Sequence, residues 1–114
     1  MSESVVDWKT LEANFDGDPF AISLVVDAFL SSVEEMLIKL RVAIDAHNSK
    51  SIAMAAHSLK GAMANFGARD AVAFAQQLED HGYQGIDGRE AQILSALEMA
   101  VVELVDELRA KSAA

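Results

Sequence analysis

His57, Lys60 and Gly61 are the residues of this sequence whose types and spacing could do chemistry together. A neutral imidazole is a nitrogen nucleophile near neutral pH and can attack a phosphoryl group without a dedicated base. The phosphoryl group then brings about two negative charges. Lys60, three residues on, shares a helix side with His57 and offers a flexible cation to that charge. Gly61 sits one turn after His57, where a larger side chain would shield the ring. A glycine inside a helix costs about 1 kcal/mol relative to alanine, so its presence here favours access over helix stability. The chain shows no phosphate-cradling glycine-rich loop and no set of acids for magnesium. The expectation is therefore a phosphoryl carrier on His57 that has no kinase activity and no cofactor of its own.

These residues belong to a helix expected from about Lys50 to Phe66. Ile52, Ala56, Leu59, Met63 and Phe66 repeat at helical spacing and form the stripe that faces a core. His57 points nearly the opposite way. Its neighbours on that outer face are Ala53, Met54, Gly61 and Ala64, with Lys60 at the margin. A solvated helix face is normally charged. This one is small and apolar around one imidazole and one ammonium, which suits close approach by a partner protein. Ala53, Met54 and Ala64 are accordingly expected to contact that partner.

The rest of the chain reads as helices with short breaks. A short helix is expected over about Val5–Asn14, with Trp8, Leu11 and Phe15 on one side. Asp18 can cap a second helix whose first turn accepts Pro19. That helix runs to about Leu30, and Ser31-Ser32 suggests a kink or a new start. Val33, Leu37, Leu40 and Ile44 continue a stripe to about His47. Gly67 marks a left-handed end to the site helix. Another helix is expected from about Ala68 to His81, followed by a loop among Gly82, Gly85 and Gly88. The last helix spans about Arg89 to Ala110. No strand pattern is present. The fold class is all-α: an antiparallel four-helix bundle with short additional N-terminal helices, in one domain covering residues 1–114. Trp8 and the phenylalanines are expected in the core. The pair Glu34-Glu35 and the acids of the last helix are expected on a solvated face.

Bulk properties exclude several classes. With 114 residues and 52% hydrophobic content, the chain can build a core without cross-links. It has no cysteine, hence no disulfide, thiol nucleophile or cysteine-held metal. Net charge is −9, which disfavours nucleic acid and anionic membranes as partners. The stretch Met1–Asp7 lacks the pattern of a signal peptide, and the apolar runs are too broken to span a bilayer. We expect a cytoplasmic monomer. His47 and His81 lie near helix ends, where a structural role is expected, and neither forms metal-ligand spacing with His57.

The segment AAHSLKGAMANFGA, Ala55 to Ala68, resembles the signature of histidine-containing phosphotransfer (Hpt) domains. His57, Lys60, Gly61 and Gly67 match that pattern position by position. The helix order and the preceding FDGDPF turn are also similar, so the resemblance covers nearly the whole chain. It implies a four-helix bundle with accessory helices. It also implies a phosphorelay intermediate in two-component signalling, passing a phosphoryl group to or from the aspartate of a response-regulator receiver domain. Partners would be such receivers and a histidine or hybrid kinase, with magnesium on the receiver only. Many members carry a glutamine on the following helix that orients the acceptor ring. Counting from His57 puts Glu79 there, with Gln76 and Gln77 nearby as further candidates. A glutamate can accept a hydrogen bond from the ring but repels the phosphate. The initiating Met1 favours a free-standing relay protein over a segment of a larger kinase.

Two other readings stay open at the level of sequence. One is a phosphate-independent helical adaptor using the apolar face around His57. The other is a metal- or cofactor-binding bundle, against which stands the lack of paired Glu and His ligands on facing helices.

Overall fold

A computed structural model describes residues 4–113, with side chains to residue 111. Met1–Glu3, part of the stretch considered for a signal peptide, lie outside the described residues. Five helices follow in order: α1 (Trp8–Asn14), α2 (Pro19–Asp45), α3 (Ser49–Ala64), α4 (Arg69–Gln84) and α5 (Glu90–Ala113). No strand occurs among the described residues. Helices α2 to α5 form the bundle. α3 packs on α2 and α4, and α5 closes the ring against α4 and α2. The short connections make sequence neighbours antiparallel.

Local chemistry explains the boundaries. Asp7 and Asp18 cap α1 and α2, and Pro19 occupies the first turn of α2, where its missing N–H costs nothing. Asn48 Oδ1 accepts from Ser51 N at 3.0 Å and opens α3. His47 lies at φ 52°, in the left-handed region, and follows the end of α2. Gly67 has φ 62°, and a Cβ there would stand 2.5 Å from Asp7 Cβ. Asp7 N donates to Phe66 O at 2.8 Å, so the N-terminal segment is clamped onto the end of α3.

Two boundaries depart most from the sequence reading, beyond shifts of a few residues at the other helix ends. α2 is one continuous helix of 27 residues, with no break at Ser31-Ser32. Both serine hydroxyls bond back to carbonyls one turn earlier, those of Asp27 and Ala28, so the helix absorbs their polarity. One short N-terminal helix is therefore seen rather than several. α4 runs past His81 to Gln84, which places Gly82 inside a helix rather than a loop. Tertiary contact outweighs its poor propensity: a Cβ on Gly82 would lie 2.7 Å from Ala53 Cβ and 2.8 Å from Ser49 O. Only a bare glycine lets α4 lie this close to α3.

The core stripe of α3 and the turn that follows it is buried as its spacing requires: Ile52, Ala56, Leu59, Met63 and, just past the helix end, Phe66 are all fully covered. Phe66 meets Phe29 of α2 edge-on, with ring centroids 5.0 Å apart. Phe20, expected in the core, is 72% exposed, because its register in α2 turns it away from the side that buries Phe29, Val33 and Leu40. The acids of α5 are not uniformly solvated either. Glu107 accepts from Val5 N (2.8 Å), Val6 N (3.1 Å) and Trp8 Nε1 (3.1 Å), and from the Ser4 hydroxyl. Burial raises its proton affinity, but these four donors together outweigh that and hold the carboxyl below its ordinary range. Glu107→Ala would strand donors at the half-buried N-terminal strap. We expect it to cost about 1–3 kcal/mol in urea denaturation, and a variant as stable as the parent would contradict this role.

Candidate functional site

Helices α3 and α4 position the site between them. Ala53, four residues before His57, is 1% exposed and packs beneath Gly82. Ala53 is therefore covered by α4 and unavailable to a partner, which corrects the sequence expectation for this residue. The wheel of α3 alone could not show this, because the face carrying Ala53 turns toward α4. One turn later the two helices present polar side chains at the rim of the same seam. The imidazole of His57 emerges there with 66% of its side chain exposed.

His57 Nδ1 lies 3.0 Å from Glu79 Oε2. Lys60 Nζ donates to Glu79 Oε1 at 2.6 Å and to Gln76 Oε1 at 2.9 Å. Gln76 Nε2 in turn donates to Asp80 Oδ1 at 2.8 Å. The three candidates on α4 thus separate. Glu79 meets the ring, Gln76 meets the lysine, and Gln77 is exposed with no side-chain bond among those described. Lys60 is not a free cation, since both its partners come from α4.

Glu79 is only 7% exposed. The Lys60 ammonium is the main cause that holds its carboxyl below the ordinary range, with the His57 bond adding to it against the opposing effect of burial. Glu79 is therefore a carboxylate and can only accept. The ring nitrogen facing it must carry the proton, so the neutral His57 ring is protonated on Nδ1 and its lone pair lies on Nε2. Nε2 is the nitrogen left without a bond among the described contacts.

A carboxyl with a depressed titration point stabilises the fold at pH values above its unfolded value, here 4.5, and loses that contribution as pH falls through the lower folded value. Glu90 behaves alike: burial raises it, but bonds from His81 and from the Asp87 and Gly88 backbone lower it further. Glu79, Glu90 and Glu107 thus act in the same direction, and the exposed Asp7 and Asp87 are lowered as well. We expect the melting temperature to fall progressively below about pH 4.5. Calorimetry over the acid range checks this, and the fall should be smaller in Glu79→Gln.

On the other side of His57 the face is open. Met54 is 59% exposed, and Gly61 and Ala64 are exposed. A Cβ added to Gly61 would meet nothing within 4 Å. A groove of about 690 Å³ runs between α2 and α3, lined among others by Ile38, Val42, Met54 and Ser58. Ile38 and Val42 were not anticipated. Their signal was present, as an exposed i, i+4 apolar pair lying off the Val33–Leu37–Leu40–Ile44 stripe.

His81 does not join this site. It bonds Glu90 and lies 3.5 Å from Asp87, tying the end of α4 to the start of α5. These three are a group of potential metal ligands among the described residues. The Glu90 oxygens are already engaged by two backbone N–H groups, however, as befits a helix-entry brace. No described helix is long and apolar enough to cross a membrane.

The Hpt domain family model matches residues 24–111, a span that contains His57, Lys60, Gly61, Gly67 and Glu79. No curated protein sequence matches the chain. Among solved structures, it is similar to histidine-containing phosphotransfer protein B (HptB) from Pseudomonas aeruginosa PAO1. That likeness has a TM-score of 0.87 at 22% identity and covers 96% of each chain. At this identity it speaks for the fold, an all-helical bundle shared from end to end. With the family model covering most of the sequence, the chain belongs to the Hpt family, the histidine phosphotransfer domains of phosphorelays.

Proposed function

We propose that the chain is a phosphorelay intermediate whose acceptor atom is His57 Nε2. The observation that carries this reading is the contact between His57 Nδ1 and the Glu79 carboxylate, which leaves Nε2 with its lone pair toward solvent. The phosphoryl group comes from the aspartate of a receiver domain or from a histidine kinase, and leaves to a receiver aspartate. Lys60 meets the arriving phosphate charge, exchanging part of its hold on Glu79 and Gln76 for phosphate oxygens. Gly61 keeps the approach clear. The chain supplies a nucleophile and a cation. Magnesium belongs to the receiver, and the domain acts as carrier rather than kinase.

The receiver docks over Met54 and Ala64 and along the α2–α3 groove, where Ile38 and Val42 add apolar area continuous with the His57 face. Ile38, Val42 and Met54 are each half exposed or slightly more, so covering what remains contributes about 1 kcal/mol apiece. The test is incubation with a receiver and acetyl phosphate, followed by separate acid and base treatments. A label on this chain that is lost in acid and kept in base marks a phosphoramidate. Absence of label with every receiver of the source cell, alongside receiver binding, would instead favour a phosphate-independent adaptor.

A further inference from the structure

Glu79 presents a full carboxylate, rather than a neutral acceptor, to the ring of His57, and that charge has a chemical consequence for the phosphorylated ring. The inference rests on the reading of His57 as acceptor. When Nε2 attacks an aspartyl phosphate, an N–P bond forms and the P–O bond to aspartate breaks, its electron pair going to the aspartate carboxylate. The ring has kept its Nδ1 proton and becomes a cation. In onward transfer an oxygen of the next aspartate attacks phosphorus, and the N–P pair returns to Nε2. If Nδ1 is still protonated, the departing group is a neutral imidazole. If Nδ1 is bare, it is an imidazolate anion, a far poorer leaving group.

We infer that Glu79 keeps the proton on His57 Nδ1 throughout the phosphorylated state, so that the ring always departs as neutral imidazole. The carboxylate faces that nitrogen directly at 3.0 Å, on the oxygen Lys60 does not use. An ion pair of this kind is charge-assisted, whereas a glutamine oxygen in the same place offers only a neutral acceptor. The other groups around it do not replace it. Lys60 is cationic and occupies Oε1, and Gln76 is neutral and passes the network to Asp80. From α2, Lys39 lines the adjoining groove. No other titratable side chain among those described bonds the ring. Glu79 acts through His57 and does not touch the phosphorus, so it is a positioning residue.

The experiment compares single-turnover transfer from the phosphorylated chain to a receiver across pH, for the parent and Glu79→Gln. Glutamine preserves shape and an acceptor oxygen but removes the charge. The parent should hold its plateau rate about one pH unit further into the alkaline range than the variant. A merely structural role would lower the rate equally at all pH, and coincident profiles overturn the inference. A second readout needs no variant. Nitrogen-15 spectra of the phosphorylated parent should show Nδ1 still bearing a proton at about pH 8, above the range in which free imidazole is protonated. A bare Nδ1 there also overturns it. Both outcomes are distinct from failure of the acceptor assignment, in which no phosphate appears on His57 at all.

Discussion

Replacing His57 with glutamine is expected to reduce phosphoryl labelling of the chain to background. A glutamine amide has a hydrogen-bonding shape close to that of imidazole, but its nitrogen lone pair is delocalised into the carbonyl and cannot attack phosphorus. The change is mild for the fold, because the His57 side chain is mostly exposed and surface substitutions usually stay within about 0.5 kcal/mol. Glu79 keeps Lys60 as its partner and is not left as an unpaired buried charge. Loss of label would therefore report lost chemistry rather than unfolding. His47 supplies the control. It is also exposed, but it lies in a left-handed turn after α2 with no carboxylate or lysine bonded to it among the described contacts. His47→Gln should label like the parent. Full labelling of His57→Gln would remove His57 as the acceptor.

Alanine at Gly82 and alanine at Gly61 should have opposite effects on stability, although both replace a glycine inside a helix. By propensity alone each change would stabilise by about 1 kcal/mol. At Gly82 the new methyl would sit 2.7 Å from both Ala53 Cβ and Ala53 N, and 2.8 Å from Ser49 O. Two of these are backbone atoms of a packed helix and cannot swing aside. Overpacking of this kind costs about 1–3 kcal/mol, enough to outweigh the propensity gain. Relief would come from moving α4 off α3, which also separates Glu79 from His57 and should slow transfer. At Gly61 the methyl meets nothing within 4 Å, so the propensity gain stands and the variant should be more stable. Its transfer rate should nevertheless fall, because the methyl stands on the face a receiver must approach. Urea denaturation paired with single-turnover transfer measures both. A Gly82→Ala variant as stable as the parent would refute the close-packing argument. Unchanged transfer in Gly61→Ala would refute the access argument.

These two glycines also show why parts of the site were readable in the chain and parts were not. The inward stripe from Ile52 to Phe66 follows from periodicity, since burial of one helix face requires only that some partner exist. The direction of His57 away from that stripe follows from the same arithmetic, as does the bare character of Gly61. Caps are local as well: Asp18 with Pro19, and Asn48, mark helix starts through bonds to residues two or three positions away. Ala53 and Gly82 escape this arithmetic for a single reason. Each looks unremarkable in its own helix, and only their mutual approach buries one and keeps the other helical. Ser31 and Ser32 suggest a break by propensity, which the continuous packing of α2 overrides.

What the sequence determined by itself is the all-α class, the histidine with its lysine and glycine on one helix side, and the helix ends set by local capping. These depend on spacings of a few residues, which every helix of 3.6 residues per turn must honour. The tertiary structure decided which α4 residue meets the ring, because Gln76, Gln77 and Glu79 differ by rotations that only the α3–α4 packing can resolve. It bound Lys60 to that same carboxylate and covered Ala53. It also opened a groove beside Met54 that neither helix contains alone.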